Sequence, residues 1–197
     1  MKKSIALLFC LIFLTCLTAQ DEMTELPYYQ IPDYPEKYTN VNVAARMIDG
    51  LGFRYYWASE GLREEDLNYK PSEDARTTRA TIEHIYGLSR VILNASKNQA
   101  NEGSLDYDIS FAEMRKNTLN NIKTASDILK NSKKKDLKKK RMIFKRKDRT
   151  NEFPYWNAIN GPIADAIWHC GQLVSFRRAS GNPFNSKVSV LRGKVRE

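Results

Sequence analysis

Residues 153–183 read FPYWNAINGPIADAIWHCGQLVSFRRASGNP, and this stretch decides the fold. A helix begins between Pro154 and Pro162 and continues to about Ser180. Gly181-Asn182-Pro183 stops it, because glycine accepts the left-handed cap and proline cannot continue a helix. At about 100° per residue, Asp165, His169, Gln172 and Phe176 fall within a narrow arc of one face. The rest of that face is apolar or small: Ala158, Gly161, Pro162 and Leu173. An aspartate and a histidine on an inward stripe carry a desolvation cost unless they are paired or bind a metal.

Working outward, three further segments have helical periodicity. Residues 41–62 place Val43, Met47, Leu51, Ala58 and Leu62 on one side, with Ile48 and Tyr55 beside them. Gly50 and Gly52 weaken this helix but permit close packing. Residues 78–96 place Ala80, His84, Leu88, Val91 and Ala95 together. Ser110 and Glu113 form a capping box for a helix reaching about Asn131, with Ala112, Leu119, Ile122, Ala125 and Leu129 inward. The connections are residues 63–76, 98–107 and the basic run after 131. Arg141–Lys145 reads as a short strand, and Lys187–Leu191 has the alternation of another. Four long amphipathic helices and little else predict an all-α chain, a four-helix bundle with a small β element near the C-terminus, occupying residues 41–183 before a tail of 184–197. Residues 21–40, rich in proline, tyrosine and acids, read as an extended N-terminal arm.

The chain has 197 residues and a net charge of +9. Lys2 and Lys3 precede an apolar run from Ile5 to Leu17 and a small-residue exit, the layout of a secretory signal peptide over residues 1–20. This predicts an exported protein of the periplasm, cell envelope or extracellular space. Cleavage after Ala19 or Gln20 leaves one cysteine, Cys170, and therefore no internal disulfide. Residues 133–149 contain eleven basic and two acidic residues; the remaining mature chain has 19 basic against 21 acidic. The basicity is thus local. Phe144 is the run's single aromatic residue, so it offers no stacking ladder for single strands, and a nucleic-acid partner is not expected. The run reads as a solvated helix end and connection. Membrane contact is expected only through the signal or this run.

The chain has two histidines, His84 and His169, and both fall on stripes read as inward. Spacing alone leaves two readings. In one, Asp165 and His169 grip a metal from one helix and His84 supplies a third ligand from another, leaving positions open for water or substrate, the pattern of a reactive centre. In the other, Asp165 and His169 form a hydrogen bond within the helix and His84 is a satisfied core histidine. Gln172 would orient a ligand or bridge two helices. Arg54, between Leu51 and Ala58, would meet an anionic substrate or reach out to a bundle end. Cys170 reads as a buried structural thiol, and Trp156 and Trp168 as packing residues.

The 153–183 segment resembles the fourth helix of the DinB-like (damage-inducible, YfiT-like) superfamily. Gly61-Leu62, Lys70-Pro71 and Ile82-Glu-His-Ile85 add to the likeness, which covers about residues 41–183. The resemblance implies a four-helix bundle of up-down-down-up order. It also implies a divalent metal held by one histidine of the second helix and a His-x-x-x-His pair of the fourth. His84 matches the first ligand and His169 the last; Asp165 stands where the family has histidine. A carboxylate at that position still suits zinc, nickel, iron or manganese and shifts preference toward harder ions. Relatives with known activity include thiol S-transferases, isomerases of thiol adducts and hydrolases. The expected function is therefore a metal-dependent thiol S-transferase or hydrolase acting with a small thiol or other small-molecule substrate. The alternative is a non-catalytic metal- or ligand-binding bundle in the cell envelope. Association as a homodimer through a bundle face is compatible with either.

Overall fold

The structure is a computed structural model, and it describes residues 25–197. The expected signal segment lies outside the described residues. The described chain is mostly helical, with two small sheets. Its long helices are α1 (Asn40–Ser59), α3 (Thr78–Lys97), α4 (Phe111–Lys130) and α6 (Ala164–Ala179). A single-turn helix, α2 (Glu64–Asn68), interrupts the segment read as a plain connection. Helix α4 packs on α1 and α3, and α6 packs on the same two from the other side. The core between them is built from Ile48, Leu51, Ile82, Ile85, Leu119, Ile122 and their neighbours, all fully buried.

Local chemistry explains the helix starts. Thr39, Thr77 and Ser110 each accept a backbone N–H of the first turn that has no intrahelical partner: Asn42, Ala80 and Glu113 respectively. The end of α1 is closed differently. Its last turn contains no basic residue. Two buried arginines from other helices take over. Arg177 of α6 donates to the carbonyls of Trp57 and Ala58 at 3.0 and 3.2 Å. Arg115 of α4 donates to the Tyr56 carbonyl at 3.2 Å and the Ser59 hydroxyl at 3.0 Å, and pairs with Glu60. Each guanidinium satisfies bare carbonyls and meets the negative end of the helix dipole. The C-termini of α1 and α6 are thereby tied together.

Several inward positions differ from the periodic reading. Val43 and Ala112 are exposed. On α3 the buried stripe is Thr81, Ile82, Ile85, Ser89 and Ile92, so Ala80, His84, Leu88 and Val91 sit on its flank, half-buried. The displacement arises because Thr81 and Ser89 are core residues: small hydroxyls bond back to their own helix, Thr81 to the Thr77 carbonyl and Ser89 to that of Tyr86. His84 therefore stands at the rim of the core.

The basic run is not a helix end. It forms a 3₁₀ helix, Lys134–Lys139, and then a hairpin of β2 (Arg141–Arg146) and β3 (Arg149–Pro154). A two-residue strand, β1 (Ala100–Asn101), runs parallel to β2. Phe144 packs edge-on to Phe153 and is half-buried, while Lys145 to Arg149 are exposed. The C-terminal alternation is a small hairpin, β4 (Val188–Ser189) with β5 (Lys194–Val195). No helix among the described residues is long and apolar enough to cross a membrane.

Residues 25–39 form an irregular arm, with a turn at Pro27–Tyr28, that lies against α1. Tyr28 is buried, and its hydroxyl donates to Asp49 at 3.0 Å; Lys130 holds the other oxygen of Asp49 at 2.7 Å. Burial, then the Asp49 charge, pushes the Tyr28 phenol well above its ordinary pKa. Gly52 makes this docking possible, since a Cβ there would fall on the Tyr28 ring.

Candidate metal centre

The chain before α6 is not a regular helix. A short helix, α5 (Trp156–Ala158), passes into a π-helical turn, Ile159–Ile163. Pro162 lacks an N–H and its ring opposes the carbonyl four residues back, so regular helical bonding cannot run through it. Gly161 takes up the break with φ −90° and ψ −109°. Helix α6 starts afresh at Ala164, which places Asp165 in its first turn, where the helix dipole favours a carboxylate. At the far end Gly181, with φ +83°, stops the helix.

Asp165 and His169, one turn apart, face His84 across the gap between α6 and α3. Asp165 Oδ2 lies 3.2 Å from His84 Nε2, and Asp165 Oδ1 lies 3.2 Å from His169 Nε2. The two imidazoles are perpendicular, with centroids 4.7 Å apart. One ligand atom from each residue falls within 4.8 Å of the other two. On the remaining nitrogen of His169, Nδ1 faces Gln172 Oε1 at 2.7 Å.

This hydrogen bond bears on the tautomer of His169. With the Gln172 carbonyl on Nδ1, that nitrogen carries the proton, and a neutral imidazole then presents a bare lone pair at Nε2. The Asp165 carboxylate beside it is also an acceptor. Wherever Nε2 is unprotonated, two acceptors face each other across 3.2 Å, and a cation between them, a proton or a metal ion, satisfies both. Ligand atoms about 2.0–2.2 Å from a divalent ion stand roughly 3.0–3.5 Å apart in tetrahedral or octahedral arrangements, so the two 3.2 Å His–Asp spacings have the length of edges of such a site. A histidine whose second nitrogen donates to a fixed carbonyl is also the usual arrangement of a ligating imidazole. The residues therefore fit a divalent metal. Gln172→Leu, which removes the acceptor but keeps the volume, is expected to weaken Zn²⁺ binding by about 10- to 100-fold in competition titrations.

The three side chains are not deeply buried, contrary to the inward stripes expected from the sequence. His84 and Asp165 are 36% and 35% exposed, His169 13%. They line an open cavity of about 570 Å³ together with Gln172, Trp168, Phe176 and Arg76. Trp168, read as packing, is 71% exposed and stacks parallel to His169. Trp156 is likewise exposed and lines a different cavity. Arg76 was invisible to the sequence reading. It precedes the Thr77 cap in a connection with no periodicity, and the turn into α3 alone brings it to the cavity.

Arg54 does not join this group. It lies on the opposite side of α6, where its Nη1 donates to the Gly50 carbonyl at 2.9 Å. Cys170 is buried, and burial pushes its thiol up to about 12, opposed by the weaker influence of Arg54. It is a packing residue with no reactive thiolate at neutral pH.

Comparison of the chain with protein-family models, with curated proteins and with solved structures finds no match in any of the three.

Proposed function

We propose that the chain is a DinB-like four-helix bundle of up-down-down-up order, and that it is a metal-dependent thiol S-transferase or hydrolase. The observation that carries this reading is the convergence of His84, Asp165 and His169 from two helices, with His169 oriented by Gln172, at the floor of an open cavity. Three protein ligands and an accessible face are the layout of a reactive centre, whereas a structural site is closed by four. A divalent ion bound there supplies Lewis acidity, which lowers the pKa of a thiol or water beside it.

The chain's own residues do the rest. Gln172 fixes the His169 tautomer so that Nε2 is available. Asp165 stands between the two histidines as the anionic ligand and reduces the positive charge of the site. Trp168 and Phe176 give the cavity an aromatic wall for the apolar part of a substrate. Arg76 puts a cation at its edge, where it favours an anionic substrate. Asp165 in place of a third nitrogen suits harder ions, so zinc, nickel, iron and manganese are all to be tried. Export to the cell envelope, as the N-terminal residues suggest, would place this chemistry outside the cytosol.

The test is turnover of a small thiol with a panel of alkyl and acyl electrophiles, and of ester and amide substrates, by protein loaded with each ion. Metal-dependent turnover that His84→Ala removes is expected. Stoichiometric metal without turnover on any substrate would reverse the enzymatic reading in favour of a non-catalytic metal-holding bundle. A protein that takes up no metal would exclude both.

A further inference from the structure

A second cavity, of about 330 Å³, lies on the other side of α6 from the His–Asp–His group. The helix is a shared wall. Cys170, Val174 and Arg178 face this cavity, and Asp165, His169 and Gln172 face the first. Trp57 of α1 and Phe184 after α6 give it apolar sides.

Its electrostatics are one-signed. Two guanidiniums, Arg54 and Arg178, line it, and no carboxylate does. Arg54 is half-buried and spends one N–H on the Gly50 carbonyl of its own helix. The Arg178 side chain has no hydrogen bond or ion pair among the described residues, and nor does Arg54 have any ion pair. Three neighbouring arginines are engaged by the protein itself: Arg177 and Arg115 cap α1, and Arg63 pairs with Asp66. A half-buried cation beside apolar walls without a counter-ion is unfavourable, and a ligand anion relieves that cost. The fork of a guanidinium matches a carboxylate.

We propose that this cavity is a binding site for a small amphipathic monocarboxylate. Arg54 and Arg178 hold its carboxylate, and its hydrocarbon part lies against Trp57 and Phe184. The site is independent of the metal centre, and it gives Arg54 a ligand-binding role away from that centre.

The experiment is isothermal titration of the full chain with octanoate, with 1-octanol as the neutral probe of equal length. Octanoate is expected to saturate at one per chain, and octanol to bind at least about 10-fold more weakly. Arg54→Met should weaken octanoate by about 10-fold or more, and the exposed Arg178→Met, which leaves the core intact, by at least about 3-fold. His169→Ala should leave octanoate binding unchanged. No saturable binding of octanoate, equal binding of octanol, or unaltered affinity in Arg178→Met would overturn the proposal. Loss of octanoate binding in His169→Ala would overturn it too, by moving the ligand to the first cavity.

Discussion

His169→Ala is expected to abolish stoichiometric metal binding, weakening Zn²⁺ by more than about 100-fold, beyond the effect of removing an outer hydrogen-bond partner. The physical reason is the sharing of Asp165. Its two oxygens each face one imidazole at 3.2 Å, so removing His169 leaves a single His–Asp pair spanning α3 and α6. It also leaves Gln172 without its His169 partner. His84→Ala should lose metal to a similar degree with less structural cost, since His84 is more exposed. Near-ultraviolet circular dichroism distinguishes loss of ligand from loss of fold. Retention of one Zn²⁺ per chain by a folded His169→Ala protein would contradict the ligand assignment.

Asp66→Ala is expected to lower stability by about 3 kcal/mol, or about 6–12 °C in Tm. Asp66 is buried and anchors α2 to the end of α6. It accepts Arg63 Nε and Nη2 at 3.0 Å each, the Ser180 hydroxyl at 2.6 Å and the Asn182 amide at 2.7 Å. Truncation leaves Ser180 and Asn182 short of a partner in a region where Arg177 also binds Asn182 and the end of α1. The hydrogen bonds from Arg63, followed by those from Ser180 and Asn182, hold the Asp66 carboxyl well below the usual carboxylate range, against the opposing effect of burial. A carboxyl depressed in the folded state stabilises at pH above its unfolded value, about 3.9, and loses that contribution as pH falls through that value toward the folded one. Denaturant unfolding of the parent protein should therefore show stability falling between about pH 5 and pH 2, and Asp66→Ala should flatten that fall. A variant as stable as the parent at pH 7, with the same acid profile, would contradict this account.

The long helices were legible in the sequence because each has a period; Ser110 also announces the start of α4, and Gly181-Asn182-Pro183 ends α6. The rotation of α3 was not legible. Periodicity weighs apolar side chains, and on α3 two hydroxyl residues, Thr81 and Ser89, share the core with isoleucines, so the stripe through His84 was placed too far inward. The basic run was legible in part: Arg141–Lys145 was expected as a strand and is one, with Met142 and half-buried Ile143 and Phe144 beside the core, whereas the 3₁₀ helix before it and its partner strand after it were hidden by eleven positive charges that read as solvated connection.

The metal-site residues, by contrast, were nameable from composition and spacing: two histidines in the whole chain, and an aspartate one turn from one of them. The carboxamide of Gln172 was visible on the same arc. Arg76 was not, because its position depends on how a non-periodic connection reaches the cavity, and Trp168 read as packing although it stands exposed on α6. Arg54 shows the limit of a helical wheel. It lies on the side of α1 that packs against α6, but on the far side of α6 from the histidines.

The central claim is that His84, Asp165 and His169 ligate one divalent ion. A crystal structure of Zn²⁺-loaded protein with anomalous data at the zinc edge tests it most directly. The account predicts one strong anomalous peak per chain, at about 2.0–2.2 Å from His84 Nε2, His169 Nε2 and an Asp165 oxygen, with the His169–Gln172 contact kept. No peak between the three side chains, with the direct 3.2 Å His–Asp contacts persisting in the presence of zinc, would contradict it.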